Sequence, residues 1–388
     1  MSYKVCLYIY FIVLLSSIMK TLLVMYRTIF IYIVLLFAFS QTASANENLI
    51  RLTTNDGLSS SSVTSLCQDS RGLLWIGTWD GLNCYDGAMM RVFRPDFAAS
   101  SGLSNPVVRR IFEDAEGLMW IATDYGINRY NVYDGTFDNY YLAYEGKLIF
   151  RENAFDVCRN SSNEIVATAY NSGIYHFKAE ENRFDKIALP SGLSDVGVLQ
   201  IFFDNNDHLW VVYDSYMACC RFAQEGDGVK LAIVDVAEFG MEQRMVVYDK
   251  CSRIWIQGRD GSLSFVETSA PSVVKRVKRV REQLNDVLYH DGKYYLGTNA
   301  GLCIFYGIGR DVEWRFDGLS VLSLAASSQG ILWVGTDARG LYGLIPHGKF
   351  FDSYTPSTLP GLGMYAVRAF LDDGDNGLWI GTKGGGLL

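Results

Sequence analysis

The stretch QDSRGLLWIGTWDGL, residues 68–82, decides the fold because the chain repeats it. A close copy, EDAEGLMWIATDYGI, occupies residues 113–127, and weaker copies follow. The position of the first Trp is taken in successive copies by Trp75, Trp120, Ile165, Trp210, Trp255, Tyr295, Trp333 and Trp379. These positions lie 38 to 46 residues apart. Such a period is longer than that of ankyrin, tetratricopeptide or leucine-rich repeats and is typical of propeller blades.

One repeat unit contains four short apolar runs. In the first unit they are 63–67, 73–78, 82–85 and 90–93, which we letter A to D. Asp and Gly residues separate the runs, and these residues favour tight turns. No segment after residue 50 keeps a helical period. The sequence therefore predicts an all-β fold, a β-propeller with four-stranded blades, in which the repeat Trp packs between blades.

The two ends of the repeat array predict how the ring closes. Residues 49–53 resemble the strand D that precedes a repeat, so they are expected to complete the last blade. Seven A–B–C sets follow, and an eighth begins at Tyr365 and is unfinished at Leu388. Either the eighth set closes an eight-bladed ring, or, as we favour, residues 46–350 form a seven-bladed propeller and residues 351–388 begin a second one. The unfinished strand predicts that the chain is a fragment of a longer protein.

Residues 1–45 carry the features of a signal peptide. Arg27 precedes the apolar run 29–39, and Ala43-Ser44-Ala45 is a suitable cleavage site. Met19 or Met25 is then a more natural start than Met1. The alternative is a transmembrane hairpin, although the apolar run is short for a span. Export to the periplasm or the cell surface follows.

The composition argues against several functions. The net charge of −8 disfavours non-specific binding to nucleic acid. Seven of the eight cysteines lie beyond the signal, without CxxC spacing, and we expect buried free thiols. The four histidines show no metal-ligand spacing. We therefore predict no catalytic residue, no metal and no cofactor.

The corners between strands B and C are where the copies stop agreeing. Aromatic, acidic, amide and guanidinium side chains there suit sugar recognition, and loops around a channel mouth form a concave surface. The predicted ligand-binding residues are Trp79, Asp80, Asp124, Tyr125, Tyr170, Asn171, Arg259, Asp260, Asp337 and Arg339. The alternative is that they are ordinary polar turn residues.

A basic run at residues 273–281 stands out in an acidic chain. One interpretation is an outer strand whose charges protect a sheet edge. The other is a contact surface for an acidic glycan or an acidic partner.

The repeat pattern Asp-x-x-Gly-x-[Leu/Ile]-Trp-[Ile/Val]-Gly-Thr-x-x-Gly-[Leu/Ile] resembles the regulator-propeller repeat. That repeat fills the periplasmic sensors of hybrid two-component systems of Bacteroides-like bacteria. The opening segment 52–59 is similar to the start of such sensors, and the resemblance covers residues 49–388. The resemblance implies a periplasmic sensor region of an inner-membrane histidine kinase, with an oligosaccharide ligand and a homodimeric full-length receptor.

The resemblance also implies what the sensor does. It would detect glycan breakdown products and regulate polysaccharide-utilisation genes, and the region itself would have no kinase activity and no contact with nucleic acid. The protein would contact the membrane only through the signal peptide or through a downstream segment. The alternatives are a secreted propeller enzyme, such as a lyase or glycan hydrolase, and a protein-interaction propeller.

Overall fold

The structure is a computed structural model of the chain. It describes residues 49–96, 102–141, 143–144, 147–148, 155–169, 172–225, 228–239, 243–279, 282–306, 312–345, 366–372 and 377–387, together with Met25 and Gly361. The predicted signal peptide therefore lies outside the described residues. None of the helices found among the described residues has the length and apolar character needed to span a bilayer. The chain divides into two compact units, Met1–Ile345 and Pro346–Leu388.

Antiparallel four-stranded sheets make up the first unit, and its described residues contain seven of them. We call them blades 1 to 7 and letter their strands A to D, as in the repeat. Blade 1 has strands Val63–Gln68, Leu74–Thr78, Gly81–Tyr85 and Met90–Phe93, and blade 2 has Val108–Glu113, Met119–Thr123, Ile127–Tyr130 and Phe137–Tyr140. Blade 3 has Phe155–Arg159, Ile165–Ala169, Gly173–Lys178 and Arg183–Lys186, and blade 4 has Gln200–Phe203, His208–Val212, Tyr216–Glu225 and Gly228–Glu238. Blade 5 has Gln243–Tyr248, Arg253–Gly258, Ser262–Glu267 and Ala270–Arg279, and blade 6 has Leu284–His290, Lys293–Thr298, Gly301–Phe305 and Val312–Arg315.

The first strand along the described chain completes blade 7. Its strands A to C are Val321–Ala326, Leu332–Thr336 and Leu341–Leu344, and its strand D is Leu49–Leu52. Leu49 pairs with Leu344 and Leu52 with Leu341. The predicted closure is confirmed, and the sheets are consistent with the seven repeats. The remaining short elements are a 3-10 turn at Thr54–Asp56 and a hairpin of Ala143–Tyr144 with Lys147–Leu148.

The Asp of the A–B turn fixes both the turn and the repeat Trp. In blade 1, Asp69 Oδ1 accepts hydrogen bonds from the backbone N–H groups of Arg71 and Leu73, at 3.0 and 2.9 Å. Its Oδ2 accepts from Trp75 Nε1 at 2.9 Å. The prediction that these Asp residues form turns is confirmed, and the indole bond adds a second role.

The repeat Trp and the Gly two residues later face the next blade. Trp75 is 2% exposed and packs against blade 2. A Cβ added to Gly77 would lie 2.6 Å from Val108 Cγ1 of blade 2, so the Gly allows the blades to approach closely. The predicted packing role of the repeat Trp is confirmed.

The Trp position of blade 3 is Val166, so its assignment to Ile165 is wrong by one residue. Asn160 Oδ1 accepts from Glu164 N at 2.8 Å, which repeats the first-blade turn, and Val166 lies six residues beyond Asn160 as Trp75 lies beyond its Asp. Val166 packs towards blade 4, whereas Ile165 packs towards blade 2. A shift of one residue in a strand reverses the face that each side chain occupies.

The A strands are innermost, and polar groups link each blade to the next around the channel. Each link joins a side chain of one A or B strand to the backbone or a carboxylate of the following blade. The donor–acceptor pairs are Thr64 Oγ1 with Val108 O, Arg110 Nε with Asp156 Oδ1, Ile201 N with Asp156 Oδ2, Gln200 Nε2 with Val246 O, Leu284 N with Gln257 Oε1, Leu324 N with Asp286 Oδ2, and Ser323 Oγ with Val63 O. Burial raises the pKa of Asp156 and of Asp286, and the Arg110 guanidinium opposes this for Asp156.

The second unit contains one sheet of the same pattern. Its strands are Val367–Asp372, Leu378–Thr382 and Gly386–Leu387, and Thr382 Oγ1 donates to Gly386 O as in the blades. Trp379 is 45% exposed, whereas the equivalent Trp333 of blade 7 is 5% exposed. The sheet therefore has the sequence pattern of a blade, with a more exposed repeat Trp.

Candidate ligand-binding face

The B–C corners and the D–A connections lie at the same end of the blades, because neighbouring strands are antiparallel. A threonine fixes most corners: Thr78 Oγ1 donates to Gly81 O at 2.9 Å, and Thr123 Oγ1 donates to Gly126 O at the same distance. Gly81 has a φ of +127°, and a Cβ there would lie 2.6 Å from Phe93 O. The Gly-Thr-x-x-Gly pattern thus builds a rigid corner and leaves the two variable residues to point outwards.

Two predicted residues and one unpredicted arginine form a cluster between blades 1 and 2, which we call the rim cluster. It consists of Trp79, Arg109 and Asp124. The Arg109 guanidinium donates from Nε and Nη2 to the Asp124 carboxylate, at 2.5 and 3.1 Å. Its Cζ lies 5.3 Å from the ring centroid of Trp79, within cation–π range. Trp79 remains 50% exposed, so the cluster presents a fixed aromatic ring beside a paired charge.

A β-bulge directs Arg109 into the rim cluster. The pairing of strands A and B in blade 2 shifts register between Val108 and Arg110, which leaves Arg109 as the extra residue. Bulges commonly re-aim a side chain in this way. Blade 6 repeats the arrangement, since Asn285 lies in the corresponding bulge and donates to Asn299 Oδ1 in the corner at 2.8 Å.

Three predicted carboxylates are engaged in local structure. Asp80 accepts from Arg94 at 3.0 Å, and Asp260 accepts from both the backbone N–H and the hydroxyl of Ser262 in its own turn. Asp337 Oδ1 accepts from the Ser62 hydroxyl at 2.7 Å, which links blade 7 to the entry of blade 1. Each of these carboxylates therefore has a partner within the protein.

The remaining predicted residues are distributed around the face. Tyr125 contacts Tyr141, with ring centroids 5.1 Å apart. Arg259 and Arg339 are exposed in the corners of blades 5 and 7. Tyr170 and Asn171 lie outside the described residues. The structure therefore brings together Trp79 and Asp124, with Tyr125 beside Asp124 in the chain.

Sequence reasoning missed Arg94, Arg109 and Tyr141. Arg94 and Tyr141 each directly follow a strand D, so they begin the D–A connections on the same face as the corners. The alternation of strands could have identified them, because the D–A connection belongs to the same end as the B–C corner. The direction of the Arg109 side chain depends on the bulge, and no clear sequence pattern indicates the bulge.

Other polar features fit structural roles. His176 lies in strand C of blade 3, contacts the Glu164 carboxylate and packs its ring 5.7 Å from that of Phe222. Residues 273–279 of the basic run lie on strand D of blade 5, which confirms the outer strand for this part, and Lys275 pairs with Glu267 at 2.8 Å. Among the described residues, no group of three or more His, Cys, Asp or Glu side chains could hold a metal ion.

Residues 57–80 and 102–125 match the family model for the two component regulator propeller. Both segments are therefore similar to two-component regulator propeller repeats. The matched segments span the turn, the Trp and the corner that were described above for blades 1 and 2. A curated relative, histidine kinase P4 of Formosa agariphila, is 42% identical over 72 residues, which are 18% of this chain and 5% of that protein.

Solved structures share the fold of this chain. The extracellular domain of a putative hybrid two component system of B. thetaiotaomicron is 18% identical, with a TM-score of 0.59 over 88% of this chain and 49% of that one. The extracellular domain of a putative one component system of the same organism is 17% identical, with a TM-score of 0.61 over 85% and 45%. Virginiamycin B lyase from Staphylococcus aureus is 10% identical, with a TM-score of 0.57 over 76% and 97%. These likenesses show the fold alone, and the chain spans about half the length of the two extracellular domains.

Proposed function

We propose that the chain is the periplasmic ligand-sensing region of a two-component signalling protein, which detects glycan-derived oligosaccharides and regulates polysaccharide-utilisation genes. The two segments that match the regulator-propeller model and the similarity to histidine kinase P4 support the signalling role. In this proposal the full-length receptor is a homodimeric histidine kinase, and the region described here binds and transmits without catalysing a reaction.

The rim cluster is the observation that carries the ligand-binding part of the proposal. A half-exposed Trp79 can lie flat against the C–H surface of a sugar, because its ring position is fixed by Arg109. The Asp124 carboxylate accepts both hydrogen bonds from the Arg109 guanidinium, and its side chain is mostly buried. The arginine that holds the Trp79 ring is therefore paired with a carboxylate. Rigid anchors lose little entropy on binding, which favours affinity.

We also propose that residues 351–388 begin a second propeller. The exposure of Phe370, Leu371 and Trp379 supports this, since their equivalents in blade 7, Leu324, Ala325 and Trp333, are buried. A further blade on each side would remove this apolar surface from water.

Titration of the full chain with a library of glycan fragments tests the sensor proposal. We expect calorimetric heat and a higher melting temperature with at least one fragment, and a loss of both in the Trp79→Ala variant. Because Trp79 lies at the surface, the variant should keep its stability within about 0.5 kcal/mol. If no fragment gives heat or a thermal shift, the proposal is wrong.

A further inference from the structure

Hydrogen bonds between the A–B turns of neighbouring blades, which we call turn links, hold one end of the ring together. In blade 1, Ser70 donates from its backbone N–H and its hydroxyl to the Glu113 carboxylate, next to the turn of blade 2, at 2.7 and 2.8 Å. Four further junctions carry a turn link. The donor–acceptor pairs are Ala115 N with Asn163 Oδ1, Ser161 N with Asp207 Oδ1, Asn205 Nδ2 with Cys251 O, and Ser328 N with Gln68 Oε1.

Blade 6 has no turn link to either neighbour among the residues that the structure describes. Its A–B turn is short, because strand A ends at His290 and strand B begins at Lys293, with two residues between them. The A–B turns of the other six blades have four or five residues. Within the described part of the chain, one side-chain hydrogen bond, from Arg253 Nη1 to Tyr294 Oη, joins blade 6 to blade 5 at this end, and none joins it to blade 7.

The turn of blade 5, next to blade 6, differs from the other long turns. In those turns the residue with a positive φ comes three positions after the first turn residue, and it is Gly72, Gly117, Asn163, Asp207 or Gly330. In blade 5 it is Lys250, directly after Asp249, with a φ of +58°. This conformation is unfavourable for a lysine. Three polar atoms of the blade are also buried without a partner among the described residues, namely Asp249 Oδ2, Arg253 Nε and Trp255 Nε1. The turn of blade 5 is therefore less well satisfied than its counterparts.

The corner end of blade 6, in contrast, is joined to both neighbours. The donor–acceptor pairs are Leu284 N with Gln257 Oε1 of blade 5, Asn285 Nδ2 with Val321 O of blade 7, and Leu324 N of blade 7 with Asp286 Oδ2, each at 2.8 Å. At the A–B end the contacts are mainly apolar, with Tyr294 and Phe305 packed towards blade 5 and Leu288 towards blade 7. Apolar contact has no preferred direction, so this end is held in place less strictly than the corner end.

We propose that blade 6 is a hinged blade, which tilts about its corner end so that its A–B end separates from blades 5 and 7 while its own sheet stays intact. The tilt changes the shape of the face opposite the rim cluster. The rim cluster itself stays in place, because blades 1 and 2 are joined by the Ser70 turn link and by the Thr64 bond to Val108. The proposal goes beyond the sensor function and does not depend on it, since it rests on the bonds between blades alone.

Hydroxyl-radical footprinting of the full chain, followed by peptide mass spectrometry, tests the hinge. Tyr294 lies in the junction between blades 5 and 6 and is 8% exposed, whereas Tyr140 lies in the junction between blades 2 and 3 and is 9% exposed. Tyrosines with so little exposure are oxidised mainly when their junction opens. We expect Tyr294 to be oxidised about tenfold faster than Tyr140, after each rate is divided by its rate in urea.

The Glu113→Ala variant tests whether turn links hold the junctions. It removes the link between blades 1 and 2, where Tyr130 is 2% exposed at the same end of the ring. We expect the oxidation of Tyr130 to increase in Glu113→Ala. Glu113→Gln is the matched control, since its amide oxygen still accepts from Ser70, and it should keep the wild-type rate. If Glu113→Ala leaves the oxidation of Tyr130 unchanged, turn links do not hold the junctions and the hinge proposal is wrong.

Amide hydrogen exchange of residues 284–298 separates a tilting blade from a fraying hairpin. A tilting blade keeps the pairing of its strands A and B, such as Tyr289 with Tyr294, so its amides should stay as protected as those of residues 108–123 in blade 2. Exchange as fast as in an unpaired loop would show that the hairpin frays and that the blade does not move as a unit. Equal oxidation of Tyr294 and Tyr140 would also overturn the hinge, because blade 6 would then be held as firmly as blades 2 and 3.

Discussion

The indole Nε1 of Trp120 donates a hydrogen bond to Oδ2 of Asp114, at 2.8 Å, six residues earlier in the chain. The other carboxylate oxygen of Asp114 accepts from the backbone of Glu116 and Leu118. A single carboxylate therefore joins the A–B turn to the largest side chain of the interblade core. This explains why the repeat keeps Asp and Trp at a fixed spacing, and why both belong to the fold rather than to a binding site.

The energetic value of this bond can be measured by replacing Trp120 with Phe. The substitution keeps an aromatic ring but leaves Asp114 Oδ2 buried without its donor, so we expect a loss of about 1–3 kcal/mol in the free energy of unfolding. Urea denaturation followed by far-UV circular dichroism is the measurement. Trp255→Phe is the control, because neither Trp255 Nε1 nor Asp249 Oδ2 has a partner among the described residues. Equal losses in both variants would show that the bond adds nothing beyond packing.

The close approach of blades 1 and 2 predicts that Gly77→Ala is destabilising. The added Cβ would lie 2.6 Å from Val108 Cγ1 and 3.2 Å from Ile111 Cδ1, and such overpacking costs about 1–3 kcal/mol. Combining it with Val108→Ala should give a smaller loss than the sum of the single variants, because the second change provides the missing room. Gly381→Ala should be nearly neutral, since its nearest neighbour is 3.6 Å away. Additive losses in the double variant would contradict the steric explanation.

Much of the fold was predictable because each repeat feature has a local physical cause. The turn Asp, the repeat Trp and the corner Thr and Gly act within one blade, so their spacing is visible in one copy and confirmed by the others. Strand D of blade 1 begins and ends as predicted, and the other three strands of that blade differ by one residue at one end. The error at Ile165 arose where the Trp is replaced by Val, which removed the side chain that marks the register.

Less of the candidate site was predictable, because its contacts cross between blades. Trp79 and Asp124 are 45 residues apart in sequence and are joined by Arg109, whose direction depends on a bulge. A one-dimensional pattern identifies the corners but does not show which corner residues share a neighbour.

The buried thiols should react slowly in the folded protein. Burial raises the pKa of Cys67 and of Cys84 to about 11, and that of Cys219 and Cys220 to about 12. At pH 8 a thiol with a pKa near 11 has a thiolate fraction about two orders of magnitude below that of an unperturbed cysteine. Cys67, Cys84 and Cys251 are all partly exposed, but Cys251 lies in the A–B turn of blade 5 rather than in a strand and is expected to react first.

Iodoacetamide labelling at pH 8, followed by peptide mass spectrometry, measures this order. The same reaction in urea gives the reference, in which the seven cysteines that the structure describes as free thiols should all be labelled. Rapid labelling of Cys67 or Cys84 without denaturant would show that their strands open readily.

Asp286 in the channel predicts a distinctive dependence of stability on pH. Its Oδ2 accepts a hydrogen bond from Leu324 N of the next blade. Burial nevertheless raises the pKa of the carboxyl, and the positive charges of Lys250 and Arg110, which lower the pKa, only partly offset this effect. A raised pKa means that the folded state favours the protonated form. The contribution of Asp286 to stability is therefore complete below its ordinary pKa near 4 and is lost as the pH rises through the higher folded-state value. Relative to Asp286→Asn, the wild type should lose stability as the pH rises above about 4.

Asp86→Asn is the control of opposite sign. The backbone N–H groups of Met89 and Ala88 lower the pKa of Asp86 in the C–D turn of blade 1. The advantage of the wild type over this variant should be present above pH 4 and decrease as the pH falls. Urea denaturation at several pH values gives both differences. If the difference between the wild type and Asp286→Asn is independent of pH, Asp286 is not held in a more protonated state by the channel wall, and its role is limited to the hydrogen bond between blades 6 and 7.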